Sequence, residues 1–218
     1  MNSRNPFISE NIASNYESWY QTKGNRVDQQ EKNLLMWLLG HFPAARSMLE
    51  IGSGTGHFTR WFENEQDMQV YGLDKSRAML NKAKEFGSCR LVQGDAIKLP
   101  FLSKSVDIVV LITSLEFLED PISTIREAYR TARQGLILGI INNNSLLGIK
   151  YKLIGGPIWG NAHLYSINKI KKFIKQTANR QAEIMWRTTL WPLISGHLPF
   201  PWGGFIGMAV RWDAERRE

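Results

Sequence analysis

The 218-residue sequence has little cysteine, few histidines and no long apolar run, and each absence excludes a class of protein. Cys89 is the single cysteine, which excludes an internal disulfide and a metal site built from several cysteines. No H-E-x-x-H or other paired-histidine motif occurs, so we expect no metal. No run of about 18 apolar residues could cross a bilayer, and the polar first ten residues do not read as a secretory leader. These features predict a cytoplasmic protein.

Acidic residues are scarce in the last third of the chain. Residues 143–218 contain 11 Lys and Arg against 4 Asp and Glu, which accounts for the whole net charge of +7. Such a segment is either a solvated basic helix or a surface for an anionic partner, because charge alone does not identify what binds. Weak contact with an anionic surface is therefore one candidate interaction of this region.

The order of apolar segments indicates one α/β domain over residues 1–218. Between residues 47 and 142, short strands alternate with amphipathic helices, which is typical of a parallel, doubly wound sheet with helices on both faces. Two further strands are predicted at 182–191 and 204–212. Residues 1–42, with a helix over 27–39, are predicted to form a helical cap or lid; the alternative is packing against the sheet edge. Residues 143–165 read as a loop-rich insert near the substrate pocket.

A glycine-rich turn follows the first predicted strand, in the sequence MLEIGSGTGHFT at 48–59. Glu50 ends the strand, and Gly52, Gly54 and Gly56 alternate before a helix begins. Glycines permit a tight strand-to-helix bend and let a ligand approach bare backbone near the unpaired N–H groups of the helix N-terminus. The spacing differs from the dinucleotide fingerprint G-x-G-x-x-G, because His57 occupies the position of its third glycine.

Acidic residues also end the next two predicted strands. Asp74 lies 22 residues beyond Gly52, where folds of this class place a carboxylate that binds ribose hydroxyls; it could also cap the following helix, as could Ser76. Asp95 follows the third strand, in the turn Gly-Asp-Ala. Carboxyl ends of parallel strands share one edge of a sheet, so Glu50, Asp74 and Asp95 are expected at one ligand site.

Four stretches together resemble one family. They are the opening A-x-x-Y-x-x-W-Y (Ala13, Tyr16, Trp19, Tyr20), the glycine turn, the G-D-A turn with L-P-F at 99–101, and L-E-F-L-x-D-P at 115–121. This pattern resembles the class I S-adenosylmethionine (SAM) methyltransferases of the ubiquinone/menaquinone-biosynthesis-like group, often called type 11. The resemblance implies a Rossmann-like, seven-stranded, mostly parallel sheet with an antiparallel last strand.

The resemblance also implies a cofactor and its contacts. SAM would be the methyl donor and S-adenosylhomocysteine the product. The residues expected to contact the cofactor are Glu50, Gly52, Ser53, Gly54, Gly56, Asp74, Lys75, Met79, Asp95, Ala96 and Ile112. Met79 could instead be a core residue. Relatives with this pattern act on diverse small molecules, so a small-molecule acceptor is expected without its identity.

Methyl transfer requires alignment of an acceptor in line with the sulfonium methyl and exclusion of water, with a base only where the acceptor must lose a proton. Candidate bases are Glu116, ranked first, then His163, His57 and Tyr20. Tyr16, Tyr20 and Glu116 are expected to line the substrate site. His163 lies where many members of the group have an arginine.

Three alternatives remain at this point. A nicotinamide-dependent oxidoreductase is disfavoured by His57 and by the G-D-A turn. A SAM-binding regulator without turnover would explain the lack of an obvious base. An RNA-binding or anionic-surface-binding methyltransferase would use the basic last third, although the absence of Asn/Asp-Pro-Pro-Tyr after the fourth strand makes methylation of nucleic-acid bases unexpected.

Overall fold

The computed structural model describes Phe7, Glu17, Tyr20 and residues 24–88, 90–177 and 182–212, and a seven-stranded sheet organises these residues. The strands are β1 (Ser47–Ile51), β2 (Gln69–Asp74), β3 (Leu91–Gln93), β4 (Val106–Ile112), β5 (Ala132–Ile141), β6 (Ala182–Thr189) and β7 (Phe205–Trp212). Their order across the sheet is β3-β2-β1-β4-β5-β7-β6. Neighbouring strands are parallel except for β7, which is antiparallel to β5 and β6. The predicted Rossmann-like sheet with an antiparallel last strand is confirmed.

Two strand boundaries differ from those that the apolar runs of the sequence predict, which are a third strand over residues 89–93 and a fifth strand over residues 136–141. The third strand begins at Leu91, and Cys89, where we expected it to begin, lies outside the described residues. The fifth strand begins at Ala132 rather than Leu136, because Ala132 already pairs with Val106 before a local irregularity in the β4–β5 register. Gly135 therefore lies inside β5 and does not precede it.

Seven α-helices are described in these ranges. They are α1 (Asn25–Leu39), α2 (His57–Gln66), α3 (Arg77–Glu85), α4 (Pro121–Thr131), α5 (Leu146–Ile154), α6 (Gly156–Trp159) and α7 (Ile167–Thr177), with a 3-10 turn at Leu115–Phe117. Ser76, Asp120 and Ser145 cap α3, α4 and α5, since each side chain accepts an N–H from the first turn. Among the described residues, no helix has the length and apolarity needed to cross a membrane.

Helices cover both faces of the sheet, as predicted. One apolar core joins a face of the strands to α4 and α7, and a second core joins the other face to α1 and α2. Helix α1 lies so close to β7 that a Cβ added at Gly207 would lie 2.7 Å from Leu34 Cγ. Residues 25–39 are therefore an integral layer of the domain.

The segment 143–165 is more helical than the expected loop-rich insert. Ser145 Oγ accepts from Gly148 N at 2.9 Å and begins α5. A Cβ on Gly148 would lie 2.1 Å from the carbonyl oxygen of Asn142, so glycine is required by this close approach. Glycine and asparagine in this segment thus form a tight helix start and not an irregular loop.

Candidate active site

The predicted glycine turn forms a cradle at the carboxyl end of β1. Gly52, Gly54 and Gly56 have positive φ angles of 75°, 53° and 76°, which only glycine adopts without strain. A Cβ at Gly52 would lie 2.5 Å from Ser114 Cβ, and one at Gly56 would lie 2.3 Å from Ser88 Oγ. By contrast, no heavy atom of the described residues lies within 4 Å of a Cβ placed on Gly54. The turn is packed on both sides and open in its centre.

Polar groups converge on the open centre of the cradle. Asp74 Oδ2 accepts from Gly54 N at 2.9 Å, and Oδ1 accepts from Ser76 N at 2.8 Å. Burial raises the pKa of Asp74 in spite of these N–H donors. Ser53 Oγ is buried and has no hydrogen-bond partner in the described part of the chain. A Cβ built on Gly72 would lie 3.0 Å from Ser53 Oγ, so this hydroxyl lies against β2.

Glu50 lies directly behind the cradle. Its side chain is 2% exposed, and its Oε2 accepts a short hydrogen bond from Thr59 Oγ1. Burial raises the pKa of Glu50 to about 7, although the Thr59 hydroxyl favours the ionised form. A carboxylate in this position can accept a cationic ligand group, since such a group would favour its ionised form.

The remaining predicted cofactor residues occupy the adjoining edge of the sheet. Lys75 Nζ pairs with Asp95 Oδ2 at 2.8 Å on the surface. Burial opposes ionisation of Asp95, but the hydrogen bond and charge of Lys75, together with the backbone N–H groups of Ala96 and Ile97, outweigh burial and lower the pKa of Asp95. Ala96 and Ile112 are buried near the ends of their segments, and Met79 is only 1% exposed. A contact of Met79 with the cofactor stays a prediction.

Three described residues before α1 contact the cradle region. Glu17 Oε2 accepts from Thr55 Oγ1 at 2.7 Å, and its other oxygen accepts from Arg60. Tyr20 stacks on His57 with ring centroids 3.8 Å apart. Tyr16 lies outside the described residues.

Phe7 contacts both predicted parts of the site, the predicted cofactor part near Asp74 and the predicted substrate part near Glu116. Its carbonyl accepts from Ser76 Oγ at 2.7 Å, and its ring contacts the edge of Phe117 at 4.8 Å. Ser76 is two residues past Asp74, whereas Phe117 is next to Glu116. The segment before α1 therefore contacts both parts of the site.

His57 is held between carboxylates and does not lie free at the cradle. Its Nε2 donates to Asp28 Oδ1 at 2.7 Å, and Nδ1 lies 3.7 Å from Glu17 Oε1. Burial disfavours the charged ring, but these two partners outweigh burial and raise the pKa of His57. This ion-pair cluster joins the segment before α1 to α2. The ring nitrogens of His57 therefore face carboxylates that link these elements.

Glu116 is enclosed by the protein beyond the end of β4. Its side chain is 0% exposed, Oε1 accepts from Ile141 N at 2.7 Å, and Oε2 has no partner among the described residues. Burial raises the pKa of Glu116 to about 7. His163 is adjacent through its backbone, because its N–H donates to the Glu116 carbonyl at 2.7 Å, and its side chain is exposed.

A second buried carboxyl, which the sequence analysis missed, lies near Glu116. Glu31 on α1 is 5% exposed, and its pKa is raised well above the usual range by burial and by the neighbouring charges of Asp28 and Glu116. Tyr165 has its pKa raised to about 12 by burial and by Glu116. Tyr151 has a raised pKa through burial and Glu31. We call Glu31, Glu116, Tyr151 and Tyr165 the carboxylate cluster.

Aromatic rings border the carboxylate cluster. Tyr151 stacks on Trp159 with centroids 4.1 Å apart and an interplanar angle of 10°, and Trp159 lies 5.9 Å from Phe117.

A signal for the burial of Glu31 existed in the sequence. Asp28 and Glu31 continue the helical face of Leu35 and Leu38, so two carboxyls lie on a buried face of α1.

Comparison with known proteins identifies the family. Residues 49–139 match the methyltransferase domain family of type 11. An uncharacterised protein of Methanocaldococcus jannaschii is 30% identical over 176 residues, which cover 78% of this chain and 79% of that protein. The 2-methyl-6-phytyl-1,4-hydroquinone methyltransferase of Spinacia oleracea is 40% identical over 96 residues, which cover 41% of this chain but only 28% of that enzyme.

A solved structure shares nearly the whole fold. A SAM-dependent methyltransferase of Thermotoga maritima, described as a possible histamine N-methyltransferase, superposes with a TM-score of 0.79 at 24% identity. The superposition covers 94% of this chain and 99% of that one. Family match and fold agree with the cradle at the end of β1. The chain therefore belongs to the class I SAM-dependent methyltransferases of the type 11 group, and it is an enzyme with SAM as its cofactor.

Proposed function

We propose that the protein transfers the methyl group of SAM to a small-molecule acceptor by in-line displacement. The observation that carries this proposal is the enclosure of the carboxylate cluster beyond β4. Glu116 is fully buried (0% exposed), and Phe117 and Trp159 beside it are partly buried rings. Enclosed, largely apolar sites with a few convergent polar groups are typical of small ligands.

We further propose which residues hold the cofactor. The cradle at Gly54 is open among the described residues, and the Asp74 carboxylate lies beside it. Both fit a ligand with hydroxyl and carboxylate groups, and Ser53 stays a predicted contact. Glu50 would favour the cationic amino group, and Asp95 with Ala96 would contact the base. SAM supplies a methyl group that is already activated as a sulfonium. The protein's part is then to orient the acceptor and to exclude water.

Glu116 is the proposed base where the acceptor must lose a proton. A pKa of about 7 matches neutral operating pH, where a base is efficient. His163, which is hydrogen-bonded to Glu116 through the backbone, is the second candidate. The residues before α1 are proposed as a lid, supported by the contacts of Phe7 and Glu17 with the cofactor side. That Tyr16 and Tyr20 line the substrate site stays a prediction.

Label transfer tests the proposal. The protein would be incubated with methyl-tritiated SAM and separately with the ultrafiltrate below about 1 kDa, the RNA and the protein of a cell extract. We expect label in the small-molecule fraction, and less of it with Asp74→Ala. Binding of S-adenosylhomocysteine is measured by calorimetry in parallel, with NADH for comparison. Label found only in RNA or protein would refute a small-molecule acceptor.

A second candidate function is attachment to an anionic lipid surface. Large apolar side chains on α5 are exposed to solvent, namely Leu146, Ile149, Leu153 and Ile154. Lys150 and Lys152 are exposed on the same helix, within the basic last third of the chain. Apolar residues with flanking lysines are typical of helices that lie in a membrane interface.

Vesicle sedimentation distinguishes this candidate from a merely solvated helix. We expect the protein to pellet with vesicles of 30% phosphatidylserine but not with pure phosphatidylcholine, and binding to fall with rising salt (about 1 kcal/mol is contributed per lysine near such a surface). Leu153→Asp should abolish pelleting without changing the binding of S-adenosylhomocysteine. Equal behaviour with both vesicle types would remove this candidate.

A further inference from the structure

Within the described residues, neither carboxyl of the carboxylate cluster forms an ion pair. Glu116 Oε2 is buried without a partner, and no hydrogen bond from the described residues reaches the Glu31 side chain. The positive charge of Lys32 acts on Glu31, but burial and the charges of Asp28 and Glu116 outweigh it, so the pKa of Glu31 is raised. Lys32 itself pairs with Asp28 at 2.8 Å. Glu31 and Glu116 are therefore buried without a cationic partner in the described part of the chain.

Other buried carboxylates nearby have cationic partners. Asp28 has His57 and Lys32 as partners, and Glu17 has Arg60. These partners outweigh burial and lower the pKa of Asp28 and of Glu17. The same region of the protein thus pairs some buried acids and leaves others unpaired. A buried carboxyl without a partner destabilises the fold, so its presence beside an active site indicates a ligand that supplies the partner.

The ligand group that would bind Glu31 and Glu116 can be identified by its charge and its number of hydrogen-bond donors. A single hydroxyl group donates one proton and carries no charge that would favour the ionised carboxyls, whereas an ammonium carries several N–H donors and a positive charge that can satisfy both. The rings of Tyr151 and Trp159, stacked at 4.1 Å beside the cluster, suit a cation or a flat ring.

We propose that the methyl acceptor is an amine whose protonated nitrogen binds between Glu31 and Glu116. This rests on the proposed small-molecule methylation and specifies its substrate class. The assignment concerns recognition: the carboxylate cluster fixes the amine, and the methylated atom is whichever nucleophile of the bound amine faces the cradle. Glu116 thereby combines two contacts, one to Ile141 N through Oε1 and one to the amine through Oε2.

Matched pairs of ligands test the proposal. Protein saturated with S-adenosylhomocysteine would be titrated at pH 8 with phenethylamine against 2-phenylethanol, and with tryptamine against tryptophol. We expect each amine to bind about tenfold or more tightly than its alcohol, since a hydrogen bond to a charged group is stronger than one between neutral groups. Glu116→Gln and Glu31→Gln should each reduce the preference to about threefold or less, while Glu183→Gln, an exposed carboxylate at the start of β6, should leave it unchanged.

Proton release on binding of the amine is a measurement that would not change if Glu31 and Glu116 had only a structural role. Both carboxyls hold protons more tightly than usual in the free protein, so binding of an ammonium near pH 7 must expel protons, and the calorimetric enthalpy must vary with the ionisation enthalpy of the buffer. The alcohols should give no such dependence.

The outcomes separate this inference from the proposed function. Equal binding of amines and alcohols, no binding of either, or a preference that survives both Gln substitutions would overturn the amine assignment. Label transfer to a small molecule that lacks nitrogen would also overturn it and leave small-molecule methylation intact. Absence of label in every small-molecule fraction, with S-adenosylhomocysteine still bound, would instead refute the proposed function.

Discussion

Replacing Glu116 with glutamine should make the protein more stable at neutral and alkaline pH. Glutamine keeps an oxygen that can accept from Ile141 N but cannot ionise. In the native protein, burial raises the pKa of Glu116 from 4.5 to about 7. The folded state therefore binds this proton more tightly than the unfolded state, and stability is lost as pH rises from about 4.5 through 7. At about 1.4 kcal/mol per pKa unit, the full loss is about 3 kcal/mol.

Urea unfolding of the ligand-free protein between pH 5 and 8.5 measures this loss. The free energy of unfolding of Glu116→Gln should exceed that of the wild type by under about 1 kcal/mol at pH 5 and by about 3 kcal/mol at pH 8.5. Glu183→Gln is the matched control, since that carboxylate is exposed and ion-paired with Arg211. A difference between Glu116→Gln and the wild type that is constant with pH would refute the assignment of a buried, uncompensated carboxyl.

Three further predictions address other parts of the molecule. Gly52→Ala, which forces a Cβ to within 2.5 Å of Ser114 Cβ, should weaken the binding of S-adenosylhomocysteine at least about tenfold by calorimetry. Gly87→Ala has the same left-handed strain (φ 95°), but no heavy atom of the described residues lies within 4 Å of its Cβ, so it should cost about 1 kcal/mol of stability and leave that binding unchanged. The pKa of His57, followed by NMR, should lie above 6.5 and fall in Asp28→Asn, and the stabilisation from this cluster should be present below pH 6.5 and lost as pH rises through the raised pKa. Gly148→Ala should destabilise the domain by about 2 kcal/mol in urea, because its Cβ meets backbone at 2.1 Å; an unchanged midpoint would contradict that packing.

The sheet and the cradle could be predicted because the constraints on them are local. Gly52, Gly54 and Gly56 are required by positive φ angles within one turn, and that requirement is visible as a spacing in the sequence. Glu50 lies one residue before the end of β1, and Asp74 ends the adjacent strand β2, so their position along the chain predicts their common edge. Where boundaries were wrong, as at the start of β5, long-range pairing extended the strand beyond its local signal.

The segment 143–165 was misjudged for a different reason. Glycine and asparagine are frequent in loops. The prediction of a loop-rich insert rested on such residues, which include Gly148. In the structure the same glycine allows α5 to begin directly over the Asn142 carbonyl, and Ser145 caps the helix. The composition of the segment therefore did not distinguish a loop from a helix that begins at a close backbone approach.

The carboxylate cluster could not have been predicted by the same reasoning as the cradle. Its four residues come from α1, the turn after β4, α5 and the segment before α7, so no spacing joins them. A backbone conformation admits few residue types, and for this reason a cradle leaves a recognisable pattern in sequence. A side-chain site admits many combinations, because any group that compensates Glu31 and Glu116 would serve equally well. The absence of such a group in the described structure is what directs attention to the ligand, and that absence is visible only after the chain has folded.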